Sequence, residues 1–414
     1  MVEVVARPVA DPRRMVLLYL LAGSVFAMLA ARGLTLPLYA NQLGASRFEV
    51  GALFSVSLIS GAILSLPAGV LVDRFGARNL LAVSLLLTAS AQIATALTTT
   101  VAPLFAWQVL AGVAAGMQQS AVFSAVTESV SRGRLGRAMG WLTLSMQLGF
   151  TLGPALAGLA LRWVDVRVDI ALMTGLMVFA IPGALVVSGS REHTGRGLSL
   201  REPLRALTAQ GAFLPVVIGL VAMSLTWGTF GAFVPIFAKE TLGLPSAQIG
   251  YLLAIQSIFN ASSRPVAGAI VDRARRRWPI ITVGVIAWSA TTIVVSHMSG
   301  FWLPALVIAA GTPFIAVAFV AASVVFGDLA SNSTRGVTMG IYGTVLFVAL
   351  GAGPIFFGPL VQGSGYAAGF TASAIASTLL VLVMSAMQAG LWRRRREQAP
   401  LGDSETRAAA TRRA

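Results

Sequence analysis

Twelve apolar runs, each about as long as a bilayer is thick, restrict the fold of this chain more than any other feature. They cover residues 15–40, 48–72, 79–98, 102–127, 137–161, 170–189, 211–238, 247–271, 279–298, 302–328, 335–361 and 366–392. About 20 helical residues cross a hydrocarbon layer roughly 30 Å thick. Without water there, the backbone must satisfy its own hydrogen bonds, which leaves helices or closed barrels. Alternating hydrophobicity would signal a barrel, whereas these runs are continuous. Only 11% of the 414 residues are charged and the mean hydropathy is +0.81. A soluble domain uses about 25% charged residues to face water. The expected class is an all-α membrane protein with twelve transmembrane helices. The first run continues for about 25 residues, past the roughly 7–15 of a signal-peptide core, so it counts as a span.

The net charge of +15 invites a nucleic-acid reading, but its placement argues against one. With the connections numbered alternately from the N-terminus, 24 of the 30 Lys and Arg residues fall on the N-terminal side. Only Arg47, Arg162, Arg167 and Lys239 fall on the other. Basic residues in short loops stay cytoplasmic, which predicts a cytoplasmic-membrane protein with both termini inside. Such loops also suit anionic lipid headgroups.

The chain repeats itself. "LPAGVLVDRFGAR" ends on Asp73-Arg74, and "VAGAIVDRARRR" repeats that ending at Asp272-Arg273. "PLYANQLGASRFEVG" resembles "PIFAKETLGLPSAQIG", and "MGWLTLSMQLGFTLGPALAG" lies over "MGIYGTVLFVALGAGPIFFG". Gly153-Pro154 then meets Gly353-Pro354, Gly158 meets Gly358, and Glu128 meets Asp328. The implied organisation is a tail at 1–14, six-helix bundles at 15–190 and 211–392, a linker at 191–210 and a basic tail at 393–414. Parallel repeats of six spans mark a transporter built as two bundles around a central site.

Twelve spans in two halves, with "GVLVDRFGAR" between the second and third, resemble the major facilitator superfamily over roughly residues 15–392. Gly69, Leu71, Asp73, Arg74, Gly76 and Arg78 match that family's loop pattern, while Val72 and Ala77 depart from it. The second copy keeps Gly268, Asp272 and Arg273 but follows them with Ala274. The resemblance implies that Asp73 faces the start of span 11 near Arg335, and Asp272 the start of span 5 near Arg137. A carboxylate there suits a helix N-terminus, whose dipole favours negative charge. Each half would latch onto the other on the cytoplasmic side, with Glu128 and Asp328 close by.

A second resemblance lies in span 5. Gly149, Gly153, Pro154 and Gly158 match the Gly-x-x-x-Gly-Pro-x-x-x-Gly pattern of the family's antiporters. Glycines at this spacing let helices approach closely, and proline loosens a turn. Span 11 carries Gly353, Pro354 and Gly358, so a rocking interface explains the pattern equally well.

None of the fifteen acidic residues lies near a span midpoint. The family's drug/proton exchangers generally carry a deep carboxylate, and the arginine of their fourth span is Gln108 here, so their conventional cation/proton mechanism does not carry over by the resemblance, and coupling to a proton or another ion is expected to take another form if it occurs. Two arginines do lie inside spans, Arg32 and Arg264, and charge at such depth usually faces a cavity or a partner. "NASSRPVAG", with Asn260, Arg264 and Pro265, faintly resembles the eighth-span pattern of monocarboxylate transporters, with Asn260 in place of their aspartate. Gln118, Gln147, Trp227 and Gln256 could complete a substrate site, or serve as interhelical hydrogen-bonding and packing residues.

An ATP-driven pump needs a phosphate loop ending in Gly-Lys-Ser/Thr, and the only lysine is Lys239 in "FAKETLG". Without cysteine, paired histidines or deep carboxylates, no enzyme site, metal centre or cofactor is expected. The function expected is secondary active transport of a small organic solute, anionic or amphipathic. The alternative is multidrug efflux of neutral or lipophilic compounds.

Overall fold

The computed structural model describes residues 12–130, 134–187, 205, 207–329 and 335–397, and among them there is helix and no strand. Five helices open the chain: α1 (Pro12–Gln42), α2 (Arg47–Phe75), α3 (Ala77–Leu97), α4 (Ala102–Glu128) and α5 (Leu135–Ala160). The sixth span is broken into α6 (Val166–Gly175), a 3-10 turn (Leu176–Phe179) and α7 (Ala180–Leu185). Pro182 offers a reason, since its ring clashes with the carbonyl four residues back. The second half holds α8 (Phe213–Glu240), α9 (Ser246–Arg273), α10 (Trp278–Val295), α11 (Trp302–Asp328), α12 (Arg335–Ser364) and α13 (Tyr366–Glu397).

Ten of these helices are long and apolar enough to cross a membrane; the broken sixth span and α9 are the two that fall short. α9 has the length, at 28 residues, but Gln248, Gln256, Asn260, Ser262, Ser263 and Arg264 lower its hydropathy. A helix this polar needs water or protein on one side. α13 continues to Glu397, past the expected span end at 392. Of the expected 191–210 linker, residues 191–204 and 206 lie outside the described residues, as do the tails at 1–11 and 398–414.

Local chemistry fixes the helix ends. Ser46 and Glu49 form a capping box at the start of α2, with Ser46 N–H to Glu49 Oε2 at 2.8 Å and Glu49 N–H to Ser46 Oγ at 3.2 Å. Gly76 ends α2 at φ +80, a left-handed turn that suits glycine, so the "DRFGAR" loop reverses within one residue. The second copy has no such turn: Ala274 closes α9 at φ −73 and ψ 120.

Buried apolar residues form two clusters, and their division describes the shape. The larger joins the second half to the arginine-poor end of the first, from Ala31 to Tyr39 of α1, with Val50, Leu53, Ala157 and Ile170. The smaller belongs to the first half alone and to its basic end: Met15 to Phe26 of α1, Val72, Leu80, Met117 to Val126, and Leu142. The halves therefore share one core at the arginine-poor end and have separate cores at the basic end.

Candidate functional site

Glycines trace the seam between the halves. At its arginine-poor end, a Cβ on Gly158 of α5 would fall 2.7 Å from the Ser246 carbonyl oxygen and 2.9 Å from Gly250 Cα of α9. Nearer the middle of the seam, one on Gly351 of α12 would fall 2.9 Å from Ile59 Cγ1 of α2. Gly140, Gly268 and Gly343, at the basic end of the same three seam helices, have nothing within 4 Å. The described hydrogen bonds and ion pairs between the halves also lie at the arginine-poor end. The seam is closed there and parts into a cleft toward the basic side.

Of the remaining span-5 glycines, Gly149 and Gly153 pack inside the first half. A Cβ on Gly149 would lie 2.4 Å from the Gly23 carbonyl oxygen, and one on Gly153 2.0 Å from that of Ala27. Gly353 does the same against Leu225 in the second half, at 2.5 Å. Gly358 meets Phe48 across the seam at 2.9 Å, while Pro154 and Pro354 offer an oxygen and a Cβ to the seam glycines Gly250 and Gly51.

Arg264 lies nine residues from the end of α9, about 13 Å along its axis, and is exposed there. Gly250, Ser257, Ala261, Arg264 and Gly268 share one helix face by their spacing. That face packs on Gly158 at its arginine-poor end, so its continuation carries Arg264 along the wall of the cleft. Gln147 of α5 shares a face with Gly158 and is half-buried on the opposite wall. Arg264 Nε and Nη2 point at Asn260 Oδ1 from 3.4 and 3.3 Å, long contacts that leave most of the guanidinium's donors free of protein acceptors. Tyr342 of α12 is within electrostatic reach of Arg264. Gln256 is half-buried one turn from Asn260.

Other sequence candidates go elsewhere. Arg32 donates from Nη2 to Ser57 Oγ at 2.7 Å, tying α1 to α2 within the first half. Gln118 is 4% exposed and donates to Ser84 O at 3.3 Å and Thr88 Oγ1 at 2.9 Å of α3, so its amide serves interhelical hydrogen bonding. Trp227 packs against Trp288 and Phe319, with ring centroids 4.8 and 6.2 Å away, on the aromatic core of the second half.

At the basic end no described ion pair joins the halves. Asp272, Arg273, Arg137, Arg74 and Arg78 are exposed. Arg74 lies over its neighbour Phe75, with its guanidinium carbon 5.4 Å from the ring centroid. Glu128 accepts from Ser124 Oγ at 2.7 Å, and Asp328 pairs with Arg277 of its own half. The side chains of Asp73 and Arg335 lie outside the described residues.

Two features escaped the sequence reading. Arg47 of α2 and Glu240 of α8 bridge the halves at the arginine-poor end, with Arg47 Nη2 3.0 Å from Glu240 Oε2. Tyr366 O–H donates to the same Glu240 oxygen at 2.8 Å, and the Arg47 guanidinium sits 4.7 Å from the Tyr366 ring centroid. The Phe48 N–H donates to Gln362 Oε1 at 3.3 Å alongside. A signal was available, because Arg47 and Glu240 fall in the two repeated segments beginning at Pro37 and Pro235. The second feature is Asp169, expected just ahead of a span starting at 170. Helix α6 begins at Val166 instead, which puts Asp169 in its first turn, with no exposed surface and no partner on either carboxylate oxygen.

Two helical bundles closed at one end, around a cleft with polar walls, define a membrane transporter rather than an enzyme. The chain belongs to the Major Facilitator Superfamily, whose family model matches residues 16–354 and 216–413. It is 22% identical over 360 residues to the quinolone resistance protein NorA of Staphylococcus aureus, covering 84% of this chain and 89% of that one. An uncharacterised MFS-type transporter of Methanocaldococcus jannaschii is 20% identical over 354 residues, 84% of this chain and 90% of its own length. Multidrug resistance protein 2 of Bacillus subtilis is 24% identical over 315 residues, 72% of this chain and 76% of that one. Among solved structures, the nucleoside transporter NupG matches with a TM-score of 0.76 at 13% identity, over 90% of this chain and 98% of its own. A bacterial homologue of the lysosomal transporter Spinster matches at 0.70 and 16% identity, over 92% and 96%.

Proposed function

We propose that the chain is a secondary transporter of the cytoplasmic membrane, which moves a small organic anion or amphipathic solute by alternating access. In this reading the basic side is cytoplasmic, both termini lie inside, and the described conformation faces inward. The bundles at 15–190 and 211–392 are the moving bodies, and residues 191–210 tether them. The observation that carries the reading is the exposed Arg264 on the cleft-facing row of α9, with Asn260 beside it and Tyr342 nearby. A guanidinium presents a planar fork of donors that pairs with carboxylate or phosphate, whereas a cation would meet repulsion there. Gln147 and Gln256 would add hydrogen bonds, and Arg32 would contribute field from the first half.

The loop residues Asp73, Arg74, Gly76, Arg78, Asp272 and Arg273, with Glu128 and Asp328, would latch the basic side when the cleft closes. The exposure of Arg74, Arg78, Glu128, Asp272, Arg273 and Asp328 fits the open half of such a cycle.

Efflux of neutral or lipophilic drugs by antiport is the second reading, and the likeness to NorA and to Multidrug resistance protein 2 favours it. Proteoliposomes with a panel of organic anions, neutral drugs and permanent cations, assayed with and without a pH gradient, decide between the two. Saturable flux of an anion supports the first reading. Flux confined to neutral or cationic compounds overturns it in favour of drug efflux.

A further inference from the structure

The start of α6 holds a carboxylate for which the cleft has no use. Asp169 has no exposed surface, and among the described residues neither of its oxygens has a hydrogen-bond partner. A helix start attracts negative charge, but here Asp165 already supplies the cap, accepting from Val166 N–H at 2.7 Å. α6 packs against α1, α3 and α5. At this end those elements offer Tyr39 of α1, Arg162 just past α5, and Asp165 and Arg167 at the start of α6, while α3 offers no titratable group. Arg162, Asp165 and Arg167 are exposed, and the described ion pairs and hydrogen bonds leave the Asp169 carboxylate out. Arg32 of α1 lies seven residues deeper than Tyr39 and is bonded to Ser57.

Three helices meet at Tyr39. Its hydroxyl donates to Thr98 O at the end of α3, and Arg167 of α6 lies over its ring, with the guanidinium carbon 5.7 Å from the centroid. Asp169 follows Arg167 by two residues, and Gln92 precedes Thr98 by six. Gln92 is 2% exposed, and its Oε1 is buried without a donor. Three acceptor oxygens that lack a donor thus stand at one end of one group of helices. A buried polar atom without a partner is expensive, and a buried charge is more so. One proton on Asp169 relieves both, because it removes the charge and turns an acceptor-only group into a donor.

The arginine-poor part of α1 packs on α6 and α3 within the first half. It also belongs, with Phe233 and Phe237 of α8, to the core that the halves share. We propose that Asp169 is a proton-binding site, occupied while the arginine-poor end is closed, and that release of its proton parts α6 from α1 and loosens that closure. An ionised carboxylate needs water or a donor, and neither reaches Asp169 in the closed packing. The ligand is the proton, and low pH on that side holds the seam shut. This rests on the alternating-access part of the reading above and not on the solute assigned to Arg264.

The test uses the full chain, which has no cysteine of its own, purified in detergent. Exposed carboxylates titrate at about 4, so at about pH 7 they give no infrared band of a protonated carboxylic acid. The wild type should show such a band, and Asp169→Asn, which keeps the shape and stays neutral, should lose it. Spin labels on Gln42→Cys, at the end of α1, and Ser299→Cys, between α10 and α11, read the width of the arginine-poor end. With Asp169 intact, raising the pH from about 6 to about 9 should increase the ratio of wide to narrow distances about tenfold. Asp169→Asn should hold that ratio at its low-pH value. A wild type without the band overturns the proton site. So does sodium, if adding it at neutral pH removes the band and narrows the distance, because the oxygens then hold a metal cation. A distance that widens in Gly158→Leu but not with pH overturns the link to closure. One that widens in neither counts against the alternating access on which the link rests.

Discussion

At the scale of single residues, two embedded arginines that look alike in the sequence have different surroundings. Arg32 has a close bond to the buried Ser57, at 2.7 Å, whereas Arg264 has only long contacts to Asn260 and is exposed. Removing Arg32 leaves a buried hydroxyl short of one partner, a cost of about 1–3 kcal/mol. Arg264→Ala strips no tight protein bond, so its cost falls on the solute. Arg264→Ala should therefore lower transport of an organic anion at least tenfold while thermal stability in detergent is unchanged, and Arg264→Lys should restore only part. Arg32→Ala should lower stability and transport together. Normal anion transport by Arg264→Ala would sink the role given to it. Why sequence could not separate the pair is clear from Gln118 as well: the pattern of apolar residues places a polar one on a helix but leaves the rotation of that helix about its axis undetermined. Gln118 turns toward α3 and Arg264 toward the cleft, and only packing fixes that. Asp169 was missed for a different reason. A shift of four residues in a helix start, set by Asp165 capping Val166 N–H at 2.7 Å, carried it from a loop into a buried turn.

At the scale of elements, the seam combines close helix packing with one charged clasp, and the magnitudes decide which dominates. Arg47 and Glu240 have side chains 37% and 27% exposed, and ion pairs of that kind contribute about 0–1 kcal/mol. The clasp alone therefore shifts the balance of states by about fivefold at most. Gly158 against Gly250 is different, because any side chain on Gly158 must displace backbone of α9. Spin labels on Thr99→Cys and Met298→Cys, one in each half at the arginine-poor end, can read how far the halves stand apart there. Gly158→Leu should populate a wide distance as the major state. Arg47→Glu should widen a minor fraction only, and adding Glu240→Arg should reverse that change. A Gly158→Leu seam as narrow as the wild type would show that the closed end does not depend on this approach. The twelve spans, the duplication and the glycine pattern were all legible in the sequence, since each rests on spacing within one element or on a repeat. The clasp was not, because it pairs side chains 193 residues apart in sequence through the way two bundles lean together.

At the scale of the whole molecule, the lopsided arginines and the one-sided seam bear on the same axis. The basic end is where the cores of the two halves separate, and the arginine-poor end is where they merge. If arginine distribution sets orientation, a single cysteine at Thr208 should react with an impermeant maleimide only from the cytoplasm, and one at Thr98 only from outside. Labelling of Thr208→Cys in intact cells would reverse the orientation and turn the inward-facing reading into an outward-facing one. The chain has no native cysteine to confuse the result.

The seam's rim holds one more residue, Lys239, the only lysine, beside Glu240 in the last turn of α8. Its ammonium is thus the one side-chain amine in the chain, and it sits next to the clasp between the two bundles. An impermeant amine-reactive dye added from that side of a sealed cell has a single address on this protein. Its emission would change as the water around Lys239 changes, so each opening and closing of the seam could be followed optically in the unmutated protein during turnover.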